Sequence, residues 1–264
     1  RGAETDPKNT TIGAKKMTTI RKNTMNILLF ILWFGMSVSL LTANAEVQGG
    51  GARGDSYTID LAFITHLDAS MPEQDVFIER EPGSDDVYRP TIGDNDMNAT
   101  LYKTAVPVPH NPFDEEAVGP HPKGEEFGMT LGQWLRHQGT GSYTCSNGEG
   151  SLDTSFTGLV PNGVYTMWHA FTAIPATKPF SGFLDLPLGA RDGSTSVFVA
   201  DANGEASFKH TFKPCLQMSD VWTTALLAIN YHSDGKTYAG LPGDFGYNAH
   251  VPLFAMLPPR DGIQ

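Results

Sequence analysis

Positive charge, cysteine and long apolar runs are all scarce in this chain. Lys and Arg number 18 against 29 Asp and Glu, a formal net charge of -11. A general nucleic-acid binder needs a basic face, so that class is excluded. Two cysteines exclude a disulfide-dense scaffold and a C-x-x-C redox or zinc motif. The longest apolar run, Ile27 to Leu41, has 15 residues and is short for a bilayer span. The chain has no G-x-S-x-G, H-E-x-x-H, P-loop or strand-to-helix G-x-G-x-x-G. An EF-hand fails at Asp94-Asn95-Asp96, which lacks the glycine and glutamate at the required offsets. The commonest enzyme classes readable from local motifs are thereby removed, and no fixed-period repeat replaces them.

What the chain does have is turn chemistry. Gly counts 28 and Pro 18, with charged residues at only 18%, the balance of a turn-rich β protein. Residues 1–45 read as an upstream segment and signal peptide. Arg21 and Lys22 precede the apolar run, and Ala43-Asn44-Ala45 follows it as an A-x-A cleavage site, with cleavage expected before Glu46. That leader holds six basic and two acidic residues. Of the 18 and 29 there remain 12 and 27, a net of -15 over 219 residues. Such a surface repels phosphates and anionic lipid, and no membrane span is expected after signal cleavage. Cys145 and Cys215 both lie in the exported part, and an even count in an oxidising compartment predicts one disulfide. It closes a loop of about 70 residues, worth roughly 4 kcal/mol of chain entropy.

The exported part has two zones. Residues 46–127 form an acidic, Pro-rich extension contributing one or two strands, at Tyr57 to Phe63 and within Asn98 to Val108. The stretch 109–127 reads as an extended connector that leaves His110 and His121 solvated. Residues 128–264 read as a β-sandwich core domain. It opens with a short helix from the capping box Thr130-Leu131-Gly132-Gln133, with Gly139 as its stop. Turns follow at Asn147-Gly148, Pro161-Asn162-Gly163 and Asp201 to Gly204, the last two expected to close hairpins. Val164 to Ala173 is apolar on both parities, as in a strand buried on both faces. Val221 to Tyr231 fits either strand or helix, and Ala249 to Leu257 is a last strand. The fold class expected is mostly β: an immunoglobulin-like or Greek-key sandwich with one short helix and a loop-rich N-terminal extension.

The segment from Gly158 to His169, GLVPNGVYTMWH, resembles the first hairpin of copper/zinc superoxide dismutases. In that family the strand carries two copper-binding histidines one residue apart. Here His169 matches the second, while Met167 stands at the first. The resemblance covers about a dozen residues and implies a sandwich more than it implies dismutation. The same segment, with Tyr231 to His250, is similar to exported bacterial and archaeal β-sandwich proteins of no assigned activity, which implies a fold and no chemistry.

The first function expected is an exported, periplasmic or extracellular, non-catalytic binding or structural module. It needs no cofactor, and its partner is an extracytoplasmic ligand or protein. The alternative is a copper- or zinc-binding protein, redox-active if copper, with His169, His232, His250 and Met167 as ligands, since imidazole and thioether suit those metals. A weaker alternative is carbohydrate binding by the glycine-rich loop with Asp234, Tyr238, Asp244 and Tyr247, near Trp168. The bland reading of that loop is an ordered turn around Asp234-Gly235.

Overall fold

The computed structural model describes residues 56–111, 115–173 and 184–259. The expected leader and its cleavage site lie outside the described residues. Among the described residues no helix is long and apolar enough to cross a membrane.

Two antiparallel sheets form the sandwich. The first has the order β1-β6-β7-β11, built from Ser56–Phe63, Gln138–Ser146, Glu149–Thr157 and Ala206–Phe212. The second centres on β8 (Val164–Ala173) and β12 (Thr223–His232), with β13 (Ala249–Met256) on the far side of β12. Short β9 (Leu184–Pro187) and β10 (Val197–Val199) share the other edge of β8. Ile59, Leu61, Tyr143, Leu152, Phe156 and Phe208 of the first sheet face Tyr165, Met167, Phe171, Leu227, Ile229 and Leu253 of the second. Cys145 and Cys215 are bridged, with Cα atoms 5.7 Å apart. The segment 221–231, open between helix and strand in the sequence, is strand from Thr223 onward.

Local turn chemistry is met, but not always by a hairpin. Asn147 and Gly148 both have positive φ (53° and 75°) and close the two-residue β6–β7 hairpin. Pro161-Asn162-Gly163 instead carries the chain from the first sheet to the second, because β7 pairs with β11 and β8 with β12. The Asp201 to Gly204 turn likewise crosses between sheets, from β10 to β11. The two expected hairpins are therefore arches, and they bond each other. Leu159 N–H donates to Gly204 O and Asn162 N–H to Asp201 O, both at 3.0 Å. A Cβ on Gly204 would stand 2.2 Å from the Leu159 carbonyl oxygen, so the arches meet only over glycine.

Residues 56–127 supply more strand than the sequence indicated. β1 joins the first sheet, and β2 (Phe77–Ile78), β4 (Thr100–Thr104), β5 (His121–Thr130) and β3 (Asp86–Val87) form a separate small sheet. Ile78 also bridges Tyr88. Within the expected connector the described residues from Glu115 on form a 3-10 turn, Glu115–Val118, followed by β5. Helix α1 (Leu131–Trp134) has the full capping box, but it is one turn long and ends at Leu135. Gly139 is not its stop. It lies in β6 opposite Phe63 and Phe156, where a Cβ would meet the Phe156 ring at 2.6 Å.

The second sheet is buried on both sides. Its outer face carries Ala170, Leu226, Ala228, Val251 and Phe254, covered by Ile64, Ala69, Met71 and Phe245. This accounts for the unbroken apolar pattern of β8. Ile64 exchanges backbone hydrogen bonds with Phe254, at 2.9 and 3.0 Å, and so starts the cover directly from the end of β1.

Candidate functional site

The covering segment turns sharply after β1. Asp68 Oδ2 accepts from the Thr65 N–H and hydroxyl, and Met71 N–H donates to His66 O. The chain then enters a run of three polar residues, Glu73, Gln74 and Asp75, all at 0% exposure. Asp75 adopts φ 65°, a left-handed conformation uncommon outside glycine. Strained backbone under a buried carboxylate is a pattern that concentrates at functional sites.

Three elements converge on Asp75. Arg89, itself 1% exposed, places Nη2 3.7 Å from one carboxylate oxygen. The same guanidinium donates to Ala117 O at 2.8 Å and Pro109 O at 3.1 Å, which fixes the loop carrying His110. His110 Nδ1 lies 3.6 Å from the other oxygen, and its ring stacks on Phe245 with centroids 4.1 Å apart. The Asp75 carbonyl accepts from His250 Nδ1. Burial alone would raise the Asp75 pKa, but His110, Arg89 and His250 together hold it below the ordinary carboxylate range.

Asp185 approaches from the sandwich. It sits on β9 opposite Ala170, hence on the covered outer face of the second sheet. Burial pushes its carboxyl up to about 6; Asp75 adds to the rise and His110 opposes it. Two carboxyls around one imidazole are thus driven in opposite directions, a feature of proton-handling and ligand-binding sites. Nearby, Glu73 Oε1 pairs with His66 Nδ1 at 3.3 Å. Glu73 Oε2 and both amide atoms of Gln74 have no hydrogen-bond partner among the described residues, although both side chains are fully buried. An unpartnered buried amide costs about 1–3 kcal/mol.

The histidines singled out in the sequence do not converge. Met167 and His169 share a face of β8, as strand parity requires, but that face is the sandwich interior, and His169 Nε2 donates to Gln217 O at 3.0 Å. His232 points the opposite way, 2.8 Å from Thr166 Oγ1, which also accepts from Trp168 Nε1. It faces away from the sandwich interior yet is 1% exposed, because that face is covered. His250 Nδ1 donates to a carbonyl and carries the proton, so Nε2 accepts from the Ser233 hydroxyl at 2.9 Å. Burial lowers all three pKa values to about 4, leaving neutral, structurally bonded rings. Among the described residues no three His, Cys, Asp or Glu side chains are grouped to hold a metal ion.

The loop before β13 satisfies itself. Asp234 accepts from the Tyr238 hydroxyl and the Lys236 N–H. The Asp244 carbonyl accepts from Asn248 and Ala249, and its N–H donates to Asn248 Oδ1 at 2.9 Å. Tyr247 is exposed, but Trp168 is buried on the covered face and bonded to Thr166, which removes it from a sugar-stacking surface. His110 and His121, expected to be solvated, are instead partly buried and partnered: His110 stacks on Phe245 and His121 Nε2 donates to Ala117 O. Asp75, Arg89, His110 and Asp185 carry little local signature of a site. The one available signal was Glu73-Gln74-Asp75 running without a break into the apolar Val76-Phe77-Ile78. No family model, curated protein or solved structure matches the chain.

Proposed function

We propose that the chain is an exported, non-catalytic β-sandwich module that binds a small cationic ligand, such as a primary amine, at His110 and Asp185. The observation that carries this reading is the convergence of Asp75, His110 and Asp185 on the covered face of the second sheet. Glu73, Asp75 and Asp185 outnumber the one guanidinium, Arg89, buried among the described residues, so the locale favours positive charge. Fully buried Asp75 orients the imidazole, and partly exposed His110 and Asp185 meet the ligand. The disulfide fits an oxidising compartment. The test is titration with putrescine and with its neutral diol counterpart, followed through the imidazole resonances. The diamine is expected to move His110 and to bind at least tenfold more weakly to Asp185→Asn. Equal binding of diamine and diol, or equal binding to the variant, overturns the reading.

A further inference from the structure

We propose that Asn98 is an N-glycosylation acceptor, modified by a polyprenyl-diphosphate-linked oligosaccharide during export. This rests on the export reading and on no part of the ligand site. Asn98-Ala99-Thr100 is the one N-x-S/T triplet within residues 56–259, and its middle residue is not proline. The other such triplet, Asn9-Thr10-Thr11, precedes the expected cleavage point.

The structure places this triplet where a glycan can be carried. Asn98 is exposed and lies in the turn that leads into β4. Its backbone, not its side chain, holds the turn: the Asn98 N–H donates to Asp96 Oδ1 at 3.0 Å and the Ala99 N–H to Asp96 O at 2.9 Å. The preceding residue is anchored by Gly132 N–H donating to Met97 O at 2.9 Å. Bulk added at the Asn98 amide therefore leaves the turn's bonds intact. Ile92 and Met97, 68% and 45% exposed, flank the same connection. Sugar rings present C–H faces that can shield such apolar side chains from water.

In the reaction, Asn98 Nδ2 forms a bond to the anomeric carbon as the bond from that carbon to the diphosphate oxygen breaks. The polyprenyl diphosphate leaves with the bonding pair, and one amide proton passes to a base of the transferase. The charge of the side chain does not change.

The test expresses the full chain in a host with an N-glycosylating secretory pathway, once behind its own leader and once behind a proven export signal. The tryptic peptide from Glu81 to Lys103 is read by mass spectrometry. Expected is a hexose-containing adduct on Asn98, with a gel shift abolished in Asn98→Gln and Thr100→Ala and kept in Thr100→Ser. An unmodified peptide in exported material from the proven signal overturns the site. Modification behind the proven signal only sustains the site and removes the export reading.

Discussion

The two sheets present opposite outer faces. On the first, cross-strand rows run Thr58, Thr144, Ser151, Thr211 and Asp60, Ser142, Asp153, Lys209. Hydroxyls pair within them, as Thr58 with Thr144 at 2.8 Å, and Lys209 meets Asp153 at 2.7 Å. On the second, the equivalent face carries Ala170, Leu226, Ala228 and Phe254 beneath a second layer of chain. The contrast shows in single strands: β7 alternates strictly between exposed and buried, whereas β8 is buried from its second residue to its ninth. A face shut off from water shifts the pKa values of the carboxyls it buries by desolvation, a force that a solvated face lacks. This is why the candidate site lies on the covered sheet.

The largest expected break in this contrast is Phe254→Ala. Phe254 is 3% exposed and packs between Ile64 and the sheet, so its loss should cost about 3–5 kcal/mol in denaturant unfolding. Cys145→Ser should come next, at about 2–5 kcal/mol under oxidising conditions, and no difference should remain once both proteins are reduced.

Titration of stability sharpens the contrast further. Asp185 releases its proton near 6 in the folded chain and near 3.8 when unfolded, so its ionised form costs stability at neutral pH. Asp185→Asn should therefore stabilise by about 1–2 kcal/mol at pH 7. The gain should shrink as pH falls through 6 and vanish near 4. The buried histidines act in the other direction. His137, His169, His232 and His250 stay neutral to about 4, while the unfolded chain takes up protons near 6.5. Their contribution is complete above 6.5 and is lost as pH falls toward 4, which thermal melts across that window would measure. The smallest effect expected is Ser155→Ala on the solvated face, within about 0.5 kcal/mol.

The fold was legible where local chemistry decides it. β1, β7 and β8 could be read from alternation or its absence, Asn147-Gly148 from its need for positive φ, and the disulfide from cysteine count and compartment. The arches were not legible, because Asn162-Gly163 chooses a turn and not a partner strand, and the pairing of β7 with β11 is set fifty residues away. The site was illegible for a related reason. Asp75, Arg89, His110 and Asp185 come from four separate stretches, and no local pattern in β8 or β12 says that a second layer covers their outer face.

The order of strands along the chain also governs when the molecule can fold. β12 lies at the centre of the second sheet, yet among the described strands only β13 follows it along the chain. A nascent chain that has passed β11 but not reached Thr223 holds β8 with one open edge and two apolar faces. Such an intermediate cannot close its core early and has the character of a sticky edge strand. Closure of the second sheet therefore waits on β12 and β13, whatever order the earlier strands fold in.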